Sequence, residues 1–293
     1  MLPTLMVLAL GASPGPWGEL QVGGAGSYGT GIGLKEATGA ASVALSGFLH
    51  HRLVEDDTPL SLQPYLQRAG AIEGSFSYDH FVTDRVELSG PYRIDTVGGA
   101  VSLDAYPGGL FSLWVSASFF HVQDGGGNTG WQSIVWLLPR VEIGPGIRID
   151  ATRITLGYTY APTITDGSYD GRGWGQLYLR ITTVLAERVY LSLLGELILS
   201  GGRGSLEVSV FPARSVGLHA ALEYAEGAIY YWSDDDVFRQ WQPSAGLSWW
   251  ITPSVSLGLE YRFIHSELVD DDPPGLNTIN THRVALTFRS RLG

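Results

Sequence analysis

His265 and Ser266 stand side by side in the chain, a base next to a nucleophile. Such a pair could carry acyl transfer if the imidazole drew the proton from the hydroxyl. The surrounding residues alternate between apolar and polar, however, and neighbours in extended backbone point to opposite faces. No hydrogen bond joins the two in regular geometry. His50-His51 fails as a metal pair for the same reason, and no carboxylate stands at a spacing that would orient either histidine pair. The acidic triplets Asp234-Asp235-Asp236, Asp270-Asp271-Asp272 and Glu55-Asp56-Asp57 could hold divalent cations, yet none has the ligand spacing of a calcium loop. They read as solvated loops. The glycine-rich runs at residues 23–33 and 125–127 open no helix and therefore cradle no phosphate. No catalytic residue, metal ligand or cofactor is expected from these motifs.

A larger set of ionisable residues shares a different property, because each lies on the polar face of an alternating segment. It comprises Glu73, Arg85, Glu87, Arg93, Asp95, Arg148, Asp150, Arg180, Glu196, Glu207, His219, Glu223, Glu260, Arg262, Arg283 and Arg289. Facing one another across an enclosed space, such groups would set the field that a crossing solute meets. Alternatively they would pair off into salt-bridged networks that close the space. The sequence leaves both arrangements open.

The elements that would position these groups are strands. No window offers the run of roughly 18 uncharged apolar residues that a membrane helix needs. The best stretch, residues 184–199, is broken by Glu187-Arg188 and again by Glu196. What recurs is a period of two. Val255, Leu257, Leu259, Tyr261 and Phe263 alternate with Ser256, Gly258, Glu260 and Arg262, and the same pattern returns at residues 216–224, 283–289, 176–182 and 41–50. Two stretches change phase, between Ile94 and Val97 and between Ile149 and Ile154, and a β-bulge near each of residues 95–97 and 152–153 would keep one face apolar.

About fourteen strands are expected, with twelve to sixteen allowed, the third of them over residues 60–80. Tight connections at Pro107-Gly108-Gly109, Gly144-Pro145-Gly146, Ala186-Glu187, Pro212-Ala213 and Thr252-Pro253 alternate with longer ones at residues 124–130, 162–171, 225–236 and 266–279. Short connections at Val82-Thr83-Asp84 and Gly201-Gly202, and a long one at residues 54–58, break that alternation. Aromatic residues gather at two levels. Tyr28, Phe76, Tyr78, Tyr158, Tyr160, Trp174 and Tyr230-Tyr231-Trp232 lie near the long loops, and Tyr106, Phe211, Trp249 and Trp250 near the short turns. Two such girdles would anchor a barrel at both faces of a bilayer.

Composition agrees with this pattern. Thirty-nine glycines, 14 tyrosines, 9 tryptophans and only 16% charged residues suit a sheet with tight turns and a lipid-facing side. A net charge of −11 argues against nucleic acid, whose phosphates need clustered Lys and Arg. With no cysteine, disulfides and thiolate chemistry are excluded together. Residues 2–12 are apolar but too short to span a bilayer, and with Gly11-Ala12-Ser13 they read as a shortened secretory signal lacking its basic start. The expected division is therefore a signal segment over residues 1–15 and a single barrel over residues 16–293.

In this pattern the chain resembles the bacterial outer-membrane β-barrels over its whole mature length. Its last strand, Val284 to Gly293, is similar to the C-terminal assembly signal of that family, although it closes on Leu292-Gly293 instead of an aromatic residue. The resemblance implies an all-β fold, a transmembrane antiparallel up-and-down β-barrel in the outer membrane with both termini periplasmic. It implies a porin-like passive channel, without a plug, for small polar solutes or ions. A barrel anchoring an envelope-spanning assembly is the alternative, with envelope proteins as partners, and an outer-membrane enzyme comes third.

Overall fold

The computed structural model describes residues 17–31, 34–48, 58–62, 70–85, 92–105, 111–125, 134–137, 140–149, 151–165, 168–198, 201–228, 237–269 and 278–292. Fifteen strands carry almost all of them: β1 (Trp17–Gly31), β2 (Leu34–Phe48), β3 (Gly70–Arg85), β4 (Tyr92–Ala105), β5 (Phe111–Gly125), β6 (Ile134–Leu137), β7 (Arg140–Ile149), β8 (Thr152–Thr165), β9 (Ser168–Leu185), β10 (Val189–Ile198), β11 (Gly201–Ala213), β12 (Val216–Ala228), β13 (Val237–Thr252), β14 (Val255–Val269) and β15 (Thr278–Leu292). The expected signal segment, residues 1–15, lies outside the described residues.

Neighbouring strands pair antiparallel around the sheet, and β1 pairs with β15 from Gly18↔Leu292 to Gly31↔Ile279, so the sheet closes on itself. β6 and β7 both lie between β5 and β8, and together form one stave of a fourteen-strand barrel. Closure leaves no sheet edge, which is what a backbone surrounded by hydrocarbon requires.

The alternation places apolar side chains on the outside. Val101, Leu103, Leu193, Leu197, Leu206, Leu257, Leu259, Val284 and Leu286 all face outward and exposed, with Leu286 at 63%. Ser and Thr, Gln and the charged residues take the inward positions. A wall that is greasy outside and polar inside is built to span a bilayer. Tyr28, Phe76, Tyr78, Tyr158, Tyr160, Trp241, Trp249 and Tyr261 also point outward. Phe211 and Trp250, expected in the girdle near the short turns, instead point inward and are 3% exposed.

Several boundaries differ from the sequence expectation. Gly144-Pro145-Gly146 lies inside β7, and the hairpin turn to β8 comes where Ile149 pairs Thr152. That turn explains the phase change between Ile149 and Ile154, where a bulge at residues 152–153 was expected. The register of β4 runs unbroken against both β3 and β5, so residues 95–97 hold no bulge either. Register shifts occur instead between Val210 and Ala213, between Trp250 and Thr252, and between Pro162 and Ile164. Val82-Thr83-Asp84 and Gly201-Gly202 belong to β3 and β11, and the strand expected from residue 60 begins at Gly70.

The start of β1 and the end of β15 share one end of the barrel with the turns at Ala186-Glu187, Arg214-Ser215 and Pro253-Ser254. At the first of these, Ala186 and Glu187 have φ of 48° and 56°, as the two central positions of a type I′ hairpin demand, and the Arg188 amide donates to the Leu185 carbonyl. We call this end of the barrel the near end.

Candidate functional site

Inward-facing polar groups pair along rows that run across the strands. His219 on β12, Gly246 on β13 and Glu260 on β14 occupy one such row. A Cβ on Gly246 would meet both the His219 ring and the Leu259 carbonyl, so this glycine lets the imidazole lie across β13. His219 Nε2 thereby comes within 3.6 Å of Glu260. Two residues along β14, and so on the same face, Arg262 donates to Glu260 at 2.9 and 3.2 Å and to Gln242 at 3.3 Å. Gln242 in turn donates to Gln240.

A second row crosses β9 to β12. Gln176 donates to the buried Glu196 at 2.7 Å, while Arg203 reaches Glu196 at 3.5 Å and Glu223 at 2.8 Å. Near the termini, Arg289 lies 3.9 Å from Glu19. Asp104 on β4 takes both guanidinium nitrogens of Arg153 on β8, at 2.5 and 3.0 Å, an ion pair that bridges over β5 and β7.

Of the sequence-nominated residues, the structure thus brings together Glu260 with Arg262, and Glu196 with Glu223 through Arg203. Glu207 accepts from Ser209 at 3.4 Å, and Glu73 accepts from Ser46 at 3.3 Å. Arg283 sits opposite Arg262 in register, and Arg180 is exposed to the lumen on β9. The side chains of Arg85, Glu87, Arg93, Asp95, Arg148 and Asp150 lie outside the described residues, as do His50-His51 and all three acidic triplets. His265 and Ser266 separate to opposite faces: His265 bonds Asn280 at 2.7 Å and, contrary to the expectation that no carboxylate would reach it, Glu267 two residues along the same face at 3.1 Å, whereas Ser266 accepts from Gln240 at 2.9 Å. No group of three metal-ligating side chains occurs among the described residues.

The near end holds a feature that sequence reading placed at the start of a strand. Residues 58–62, Thr-Pro-Leu-Ser-Leu, belong to the long connection between β2 and β3 and enter the lumen as a single 3₁₀ turn. Leu62 is completely buried, packed with Tyr190, Phe211 and Val184. Leu60 donates its amide to the Arg214 carbonyl at 2.9 Å and accepts from Arg291 at 2.6 Å. Ser61 receives the Trp250 indole N–H at 2.7 Å and lies 3.1 Å from Ser248 Oγ. The resemblance implies no plug; the structure seats one short turn in the near mouth, among inward-facing side chains. One signal in the sequence pointed to it: Phe211 and Trp250 fall on the polar phase of their strands, where an aromatic residue needs an apolar or hydrogen-bonding partner.

Above this segment lies a cavity of about 270 Å³ with Ser61 and Phe211 at its floor and Glu207, His219, Glu260, Arg262 and Arg289 in its wall. Such a space admits water and small polar solutes, and its wall offers them both signs of charge.

No family model matches the sequence, and no curated protein is significantly similar to it. Solved structures do share its architecture. The outer membrane protein Omp33 of Acinetobacter baumannii superposes with a TM-score of 0.51 at 13% identity, over 94% of this chain and 99% of that one. The monoaromatic hydrocarbon channel CymD gives 0.58 at 8% identity, over 94% and 88%. A FadL homologue of Pseudomonas aeruginosa gives 0.54 at 11% identity, over 97% and 91%. With its closed ring of fourteen staves, apolar coat and polar lumen, this chain has the fold of the bacterial outer-membrane β-barrels.

Proposed function

We propose that the protein is a passive channel of a bacterial outer membrane for small polar solutes or ions, with the near end and both termini in the periplasm. The observation that carries this reading is the mixed-charge cavity bounded by a wall whose outside carries a band of exposed aliphatic and aromatic side chains. Fourteen strands spaced ~4.8 Å apart and tilted by ~40° enclose a backbone diameter of roughly 28 Å, wider than side chains alone fill. Water therefore reaches the Glu260–Arg262 level, and a solute passing there exchanges hydration for paired carboxylate and guanidinium groups. The asymmetry of the ends supports the orientation, since outer-membrane barrels keep their short turns on the periplasmic side.

Planar-bilayer recording of the refolded protein, with swelling of vesicles in small sugars as a second readout, tests the reading. Discrete ohmic steps whose ion preference follows the charge at position 262 support it. A correctly folded barrel that stays silent, even after removal of residues 58–62, overturns it and moves the weight to an anchoring role in an envelope assembly.

A further inference from the structure

We infer that residues 58–62 form a plug seated across the periplasmic mouth, and that solutes pass only when it leaves that seat. The inference rests on the channel reading above and adds its regulation.

Position comes first. Leu62 packs against side chains of β9, β10 and β11, whereas Leu60 is held by Arg291 of β15. β10 and β15 are five steps apart in a ring of fourteen, and with the Arg214 carbonyl and Trp250 of β13 between them the contacts run along the arc from β9 to β15. The segment lies on a chord across that arc, and the Asp104–Arg153 ion pair crosses part of the remaining arc between β4 and β8.

The nature of the contacts comes second. The seat combines one apolar socket, for Leu62, with a few polar latches: Arg291 to the Leu60 carbonyl, Trp250 to Ser61, and the Leu60 amide to Arg214. No strand pairing fixes the segment to the wall. It can therefore detach without breaking any hydrogen bond of the barrel ladder, and the wall survives its departure.

The seated segment also floors the cavity along β11 to β15, where Ser61 and Phe211 form its lining at the near end. A solute entering from the outer side would reach Glu260 and Arg262 and stop at that floor.

The chain contains no cysteine, so an introduced pair is the sole thiol pair present. Ser61 and Ser248 have hydroxyl oxygens 3.1 Å apart, close enough for a disulfide to replace them. The double variant S61C/S248C is recorded in a planar bilayer oxidised and then reduced, beside the wild type and a variant in which residues 58–62 become Gly-Ser-Gly-Ser-Gly. Folding is verified for each by heat-modifiable migration on gels.

The inference expects silence from the oxidised pair, recovery of wild-type openings on reduction, and long-lived larger steps from the Gly-Ser variant. Equal conductance in all four states would overturn the plug and leave the channel standing. Silence of every folded state, the Gly-Ser variant included, would overturn both.

Discussion

Arg291 lies over the indole of Trp250, its guanidinium carbon 4.2 Å from the ring centroid, with both side chains turned into the near mouth of the barrel. Each also holds the inserted segment, Arg291 through the Leu60 carbonyl and Trp250 through the Ser61 hydroxyl. The cation thus steadies the indole that positions Ser61, and one contact supports the other. Arg291→Ala removes a charged hydrogen bond and a cation–π contact, together worth about 2–4 kcal/mol of local stability. The expected outcome is faster proteolytic cleavage between β2 and β3 with an unchanged urea midpoint for the barrel, measured by timed proteolysis and tryptophan fluorescence.

Charge at the Glu260–Arg262 pair should set ion preference. Glu260→Gln leaves Arg262, Arg283 and His219 with less negative charge around them, so reversal potentials in a salt gradient are expected to move toward anion preference. Arg262→Glu places two carboxylates two residues apart on one face and is expected to move them toward cations. Both shifts should shrink as ionic strength rises, because mobile ions screen the fixed charges. Reversal potentials that ignore both substitutions would remove this level from the permeation path.

Depth in the bilayer should grade the cost of a charge on the outer face. Leu259 pairs with Leu247 and Leu286, well inside the apolar band, whereas Leu257 pairs with Trp249 near the rim. Leu259→Arg is expected to cost about 2–4 kcal/mol, and Leu257→Arg distinctly less. Urea titration of both variants in lipid vesicles reads the difference, and equal costs would contradict the membrane position drawn from the aromatic levels.

The Ala186-Glu187 turn holds two side chains in left-handed backbone that glycine adopts freely. Glu187→Gly is expected to stabilise the β9–β10 hairpin by about 1 kcal/mol, since it relieves the clash between Cβ and carbonyl that L-residues suffer there. A raised urea midpoint would confirm it, and a lowered one would mean that the Glu187 side chain serves another purpose.

The wall of the barrel was legible because its chemistry repeats every second residue. Leu257, Leu259 and Tyr261 announce a lipid face, and the intervening Glu260 and Arg262 announce their own pairing, since residues two apart share a face. Turns were less legible. Gly144-Pro145-Gly146 has turn composition, yet Ile143 and Ile147 keep the same outward phase through it, and that phase predicts the strand better than the glycines predict the turn. The partners Arg203, Gln176, Arg153 and Asp104 escaped notice because pairing across strands depends on register, which no single segment carries. The inserted turn looks like a strand in sequence for a plain reason: Leu60, Ser61 and Leu62 alternate just as a wall segment does. Alternation reports that one face seeks an apolar environment, and says nothing about whether lipid or Phe211 and Tyr190 supply it.

The junction of β1 with β15 has a consequence for how the molecule comes to be. Its two strands stand at opposite extremes of the described chain, so the ring remains open until the last segment has been delivered. Until then two ladders of backbone donors and acceptors are bare, and each bare group in hydrocarbon costs several kcal/mol. Biogenesis is therefore all-or-none: a chain shortened by one stave cannot settle as a slightly smaller ring without re-registering its seam, and should be cleared by proteases instead of accumulating as a partial product. The glycines along β1, with no side chains to interlock, leave that final zipping sterically unimpeded.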